Sequence, residues 1–196
     1  MATLQGKKIA ILATDGFEED ELLKPLHALE AAGAQVDVVS PSGGWIKGCK
    51  HGEWGEEVAV DVELGSARTE EYDGLVLPGG VMNADRLRTV PEAVEFVRTF
   101  LADEKPIGAI CHAPWTLIEA GGVRGKKLTS WPSLQTDLAN AGAEWVDEEC
   151  VIDDGLVTSR KPDDLPAFDV AIVAEFARGI RRRRAPAGGA QRSSAP

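Results

Sequence analysis

The residues of this chain best suited to covalent chemistry are Cys111 and His112, which sit in the run KPIGAICHAPW at positions 105–115. The run is apolar up to the cysteine and restarts as a helix after it, so the thiol is expected at a sharp strand-to-helix turn. Such a turn projects a side chain from the carboxyl edge of a sheet, while the helix that follows turns free N–H groups and its positive end toward the sulfur, which lowers a thiol pKa. A nucleophile is one reading of Cys111. The other is a core residue, because free cysteine is among the most buried residue types.

Two further segments bear on that choice. Residues 15–19 (DGFEE) and 78–80 (PGG) also follow short apolar runs, and sites in parallel sheets form where strand ends meet. Glu18 is placed to share a proton with the Cys111 thiol or to hydrogen-bond it. Gly79 and Gly80 offer backbone donors to an oxyanion, and His112 offers a base. Contact between Cys111 and His112 does not follow from their adjacency, since neighbouring side chains on a turn often diverge.

The elements that must position these groups are legible from hydrophobic spacing. Residues 8–13 (KIAILA) form a continuous apolar run with β-branched content, the pattern of a strand buried on both faces. Residues 18–32 place Leu22, Leu23, Leu26 and Leu29 at helical spacing, with acids in the first turn and Gly33 as the stop. A strand at 35–39 completes a βαβ unit. Between 41 and 64 the pattern predicts a small antiparallel excursion, 45–47 against 58–62. Further strands are expected at 74–77, in the run from Lys105 that stops at Cys111, and at 127–129, and a hairpin joins 151–152 to 156–159 about Asp154-Gly155.

Helices are expected at 85–88, 91–102 (inward stripe Val94, Val97, Leu101), 113–120, 134–141 and 162–178, the last with Phe168, Ile172 and Phe176 on one face. Strands alternating with helices define an α/β three-layer sandwich around a mostly parallel sheet.

The chain has 196 residues, 43% of them hydrophobic, which suits one domain over residues 1–180. The net charge of −11 conceals an asymmetry: residues 181–196 hold five arginines and no acid, so the body carries −16. A body that acidic argues against nucleic-acid binding, and the Arg-rich end reads as a disordered tail. Three cysteines without paired spacing and no N-terminal apolar segment suggest a reduced, cytoplasmic protein. No apolar run is long enough for a membrane span. Cys49 and His51 are too few ligands for zinc, and neither a metal nor a cofactor is expected. Cys49 and Cys150 lack activating neighbours and read as structural. His27 reads as a helix-surface residue, and Trp115, Trp131 and Trp145 read as core or interface. Ser130 and Arg160 follow strand ends on the Cys111 side and are candidates for the pocket wall.

Five segments together resemble a known family: Phe17-Glu18-Glu19-x-Glu21-Leu22, Val76-Leu77-Pro78-Gly79-Gly80, Ala109-Ile110-Cys111-His112-Ala113-Pro114, Leu128-Thr129-Ser130 and Ser159-Arg160-x-Pro162-x-Asp164-Leu165. In this order, over about residues 7–178, they resemble the ThiJ/PfpI superfamily, in particular the PfpI-type intracellular proteases and general stress proteins. The resemblance implies a flavodoxin-like sandwich related to class I glutamine amidotransferases, with Cys111 as nucleophile in a strained elbow, His112 as its partner and Glu18 as the acid beside the sulfur. It also implies a homo-oligomer in which a carboxylate after the Pro-Gly-Gly completes the site across an interface. Asp85 matches that position. Asp85 is one carbon shorter than the family's glutamate, its loop is one residue longer, and Ala113 stands where the family has glycine.

The activity so implied is that of a stress-response cysteine hydrolase, a peptidase or a deglycase that removes glyoxal-type adducts from amines or thiols. The alternative is a redox-sensing or chaperone-like stress protein in which Cys111 is oxidised and turns over little. An accessible thiol serves either role.

Overall fold

Strand β1 (Lys8–Leu12) forms on the first apolar run and is an interior strand of the main sheet. The computed structural model describes residues 3–50 and 52–180; the Arg-rich segment 181–196 and His51 lie outside the described residues. After β1 come the two-residue strand β2 (Phe17–Glu18), helix α1 (Glu19–Ala31) and β3 (Gln35–Ser40). β1 and β3 pair in parallel, Ile9 opposite Val36 and Leu12 opposite Val39, as the βαβ reading requires.

The excursion is larger than expected. It consists of β4 (Trp45–Lys50) and β5 (Glu53–Ala59), antiparallel, and β4 also pairs with β2. Val62 does not belong to the hairpin: it lies in β6 (Val62–Glu63), which joins the edge of the main sheet beside β3. Alternation alone could not separate the two, because an edge strand and a hairpin arm share the same polar-apolar rhythm.

The chain then lays down β7 (Gly74–Leu77), α2 (Val81–Leu87), α3 (Pro91–Ala102), β8 (Ile107–Ile110) and α4 (Pro114–Glu119). In α3 the buried residues are Ala93, Phe96, Val97 and Phe100, so the inward stripe is rotated from the one read off Val94, Val97 and Leu101. The two phenylalanines carry the larger apolar area and take the core side. Next follow β9 (Lys127–Leu128), α5 (Gln135–Asn140), β10 (Glu144–Trp145), β11 (Cys150–Asp153), β12 (Leu156–Ser159) and α6 (Leu165–Arg178). β9 pairs with β10 in a separate two-stranded ladder. The hairpin of β11 and β12 turns at Asp154-Gly155, both at positive φ, as a type I′ turn demands.

The main sheet has seven strands in the order β11-β12-β8-β7-β1-β3-β6, parallel except for β11. β7, β8 and β12 are buried along their whole length. One face packs against α1 and α6 through Leu22, Leu29, Phe168, Ile172 and Phe176. The other packs against α3, α4 and α5 through Phe96, Phe100, Leu117 and Leu138. The carboxyl ends of β1, β7 and β8, adjacent in the order, therefore open at one edge.

Candidate active site

The turn after β8 holds Cys111 at φ 63°, a left-handed backbone that a residue with a side chain rarely adopts. Its carbonyl accepts the Trp131 N–H at 2.9 Å and its N–H donates to Ser159 O at 3.0 Å, so both flanks are pinned. The left-handed turn breaks the alternation of a strand and brings Sγ to 3.1 Å from Nδ1 of His112. The imidazole is fixed between two indoles: Trp131 stacks on it at 5.8 Å and 24°, and Trp115 meets it at 5.3 Å and 59°. Burial pushes the His112 pKa down to about 4, which leaves the ring neutral and basic near pH 7.

The acid coupled to the thiol is Glu21, which corrects the assignment of that role to Glu18. Glu18 ends β2 and lines the cavity. Glu21 lies in the first turn of α1, on the buried face shared with Leu22, Pro25 and Leu29, and is fully buried. Its Oε2 accepts the Gly79 N–H at 3.0 Å, and carboxyl and thiol perturb one another directly. Burial first, then the charge of Glu18, pushes the Glu21 pKa up to about 8. The acid therefore holds a proton near neutrality.

The sequence offered the signal: positions 21, 25 and 29 share one helical stripe, so an acid at 21 faces inward.

Gly79 has a different task from the one expected of it. Its N–H is committed to Glu21, so it is not an oxyanion donor. The donors that face the sulfur are the backbone N–H groups of Gly80 and His112, the geometry of an oxyanion hole built from the residue after the nucleophile and a neighbouring loop. A Cβ on Gly79 would fall against Glu21 Oε2 and 2.6 Å from Cys111 Cβ, so only glycine lets acid and thiol share this spot. Gly80, at φ 88°, packs against the 16–18 backbone with no room for a side chain.

The thiol pKa is raised, not lowered as the elbow pattern suggested. Burial and the charge of Glu21 outweigh the pull of the two N–H donors. A nucleophile at this position would draw its activation from the adjacent base and from the proton on Glu21, rather than from a standing thiolate.

Asn83 was not singled out from sequence, yet it ties the strand ends together. Fully buried, it donates from Nδ2 to Pro78 O at 2.9 Å and Gly79 O at 3.0 Å, and its Oδ1 accepts the Thr14 N–H at 2.8 Å. Ala113 buries its methyl in the core behind the elbow.

A cavity of about 640 Å³ opens over the sulfur, walled by Gly16, Glu18, Cys49, Val81, Met82 and Trp131 among others, with Lys161 and Asp163 also on its wall. Cys49, read as structural, is thus a cavity residue, and Trp131 combines a cavity face with its stack on His112. Ser130 and Arg160 do not line it: Ser130 Oγ bonds Trp131 O and Trp145 Nε1, and Arg160 is clamped by Asp164 and Asp147. Asp85 is exposed on α2 and does not line the cavity of its own chain. No helix among the described residues is long and apolar enough to cross a membrane.

Fold and site together define a three-layer α/β protein with a cysteine at a nucleophile elbow, an adjacent histidine and a buried acid. The chain belongs to the DJ-1/PfpI family, whose model matches residues 7–175. It is 44% identical over 164 residues to protein/nucleic acid deglycase 2 of Escherichia coli K12, covering 83% of this chain and 94% of that one. It is 41% identical over 165 residues to general stress protein 18 of Bacillus subtilis, covering 84% and 94%. Among solved structures it is similar to DJ-1beta of Drosophila melanogaster, with a TM-score of 0.80, 29% identity and coverage of 87% and 90%.

Proposed function

We propose that this protein is a cysteine-dependent hydrolase of the stress-response type, with glyoxal-type adducts of amines or thiols as the leading substrate class and peptides as the second. The observation that carries the reading is the 3.1 Å approach of Cys111 Sγ to a neutral His112 Nδ1 beneath an open cavity. His112 takes the thiol proton as the sulfur attacks the carbonyl-type carbon. The oxyanion falls to the N–H groups of Gly80 and His112, the proton passes through His112 to the leaving group, and water deprotonated by His112 then attacks the same carbon, breaks its bond to sulfur and restores the thiol. Protonated Glu21 supports the sulfur without adding charge beside it. The relatives named as a deglycase and a general stress protein support this class.

The site is completed in this proposal by Asp85 from a second copy, which would orient the imidazole. Asp85 is solvent-facing on α2, and the exposed apolar side chains of Val81 and Met82 on the same helix give that copy a surface to pack on. Replacing Cys111 by Ser and following release from glyoxal adducts of N-acetylarginine, N-acetyllysine and N-acetylcysteine, with a fluorogenic peptide in parallel, tests the first part. Loss of turnover is expected, and unchanged turnover in an assay removes Cys111 from that reaction. Asp85→Ala is expected to slow turnover with the oligomer intact; a fully active monomer would refute the shared site.

A further inference from the structure

The cavity over Cys111 has a second thiol on its wall that the hydrolytic chemistry does not use. Cys49 is half-buried and free, and it is absent from the apolar cluster that takes in Cys111 and Cys150. Its place follows from the small sheet. Cys49 on β4 is opposite Glu18 on β2, the Glu18 N–H donates to Gly79 O at 3.3 Å, and Gly79 abuts Cys111. The β4–β5 register shifts between Lys47 and Cys49, and such a bulge re-aims a side chain. β4 is anchored through Ile46 in the core and through Lys47, whose carbonyl accepts the Gly16 N–H and whose N–H donates to Asp15, and Cys49 lies past both anchors, beyond the bulge and near the open end of a sheet that shares no ladder with the seven-stranded one.

We propose that Cys49 is the resolving thiol for Cys111. A hydroperoxide oxidises Cys111: His112 takes the thiol proton, the sulfur attacks a peroxide oxygen, the O–O bond breaks, and the departing oxygen picks up that proton and leaves as water or an alcohol, with a sulfenic acid on Cys111. The Cys49 sulfur then attacks the sulfenic sulfur, an S–S bond forms, and the hydroxyl departs as water with the Cys49 proton. Two electrons have passed from the thiol pair to the peroxide. The disulfide requires Cα atoms roughly 4.4–6.8 Å apart, a closure carried by β4. It bars substrate from the cavity, and it keeps Cys111 from the sulfinic state, which lies beyond thiol reduction.

Thiol counting and peptide mass mapping of the full chain after about one equivalent of hydrogen peroxide test this without any substrate. Expected are a fall from three free thiols to one, a Cys49–Cys111 linked peptide about 2 Da lighter than the reduced pair, and recovery with dithiothreitol. Cys150→Ser should give the same linked peptide. In Cys49→Ser given about two or more equivalents of peroxide, one for each oxygen added, Cys111 should instead run to a form about 32 Da heavier that dithiothreitol does not reverse. The proposal is overturned if wild-type Cys111 gains that mass while Cys49 stays reduced, if Cys111 links to Cys150 or to another chain, or if no thiol is lost. The wild-type and Cys150→Ser maps decide the matter even if Cys49→Ser does not fold. Such a failure would leave the hydrolytic reading standing, because that reading is judged by turnover of the reduced protein.

Discussion

Cys111 Sγ and His112 Nδ1 lie 3.1 Å apart although the two residues are chain neighbours. On an extended strand they would point to opposite faces; the left-handed backbone at Cys111 turns both toward the same cavity. The strain is held by bonds on either side, from Trp131 N–H to Cys111 O and from Cys111 N–H to Ser159 O. The pair is therefore a product of the β8 and β12 strand ends.

Gly79→Ala should test how tightly acid and thiol are packed. The new methyl would meet Glu21 Oε2 and lie 2.6 Å from Cys111 Cβ, with backbone at Ile110 O 2.9 Å away. A loss of about 1–3 kcal/mol in urea unfolding is expected, together with a fall in turnover of tenfold or more. A variant with wild-type stability and rate would show that Glu21 need not sit at the elbow.

Stability should fall with rising pH between about 6.5 and 8, and Glu21 is the reason. Its folded pKa of about 8 exceeds the ordinary 4.5, so the folded protein holds a proton that the unfolded chain has lost, and each step upward in pH favours unfolding. Between about 4 and 6.5 His112 works in the opposite direction: its folded pKa of about 4 means the unfolded chain binds the extra proton, so its contribution rises with pH and offsets the fall due to Glu21 in that range. Asp169, pushed up to about 6 by burial, contributes a falling trend only below 6. Unfolding midpoints at pH 6.5–8 should show a slope of at most about 1.4 kcal/mol per pH unit, and Glu21→Gln should flatten it.

The same substitution should speed alkylation of the thiol. Above pH 8 the Glu21 carboxylate repels a developing thiolate, whereas a glutamine does not, so Glu21→Gln should raise the iodoacetamide rate of Cys111 severalfold near pH 8.5. An unchanged rate would mean that burial alone holds the thiol up.

Asn83→Ala should be costly despite its distance from the chemistry. Three hydrogen bonds to backbone groups of the 14 and 78–79 segments would be lost inside the protein, leaving buried donors and acceptors unpaired. A destabilisation of about 2–4 kcal/mol is expected, with a lowered kcat because Gly79 and Gly80 lose their anchor. Guanidinium unfolding and steady-state rates check both.

The sequence by itself determined the α/β order of elements, the parallel central strands, the β11–β12 turn and the elbow at Cys111, because each depends on local hydrophobic period or on residues within a few positions. It narrowed the site to three strand ends, and the structure brings those ends together. What it did not decide was which acid faces the sulfur, which N–H groups remain free, and what else lines the cavity. The stripe of positions 21, 25 and 29 turns Glu21 inward, but only the docking of α1 on the strand ends brings that acid to the sulfur while Glu18, in β2, stays on the cavity wall. Gly79 and Gly80 look alike in the chain, yet one N–H is spent on Glu21 and the other faces the thiol. Cys49 enters the same cavity by a strand pairing 31 residues away from Glu18. Such long-range contacts are set by tertiary packing, and no local pattern encodes them.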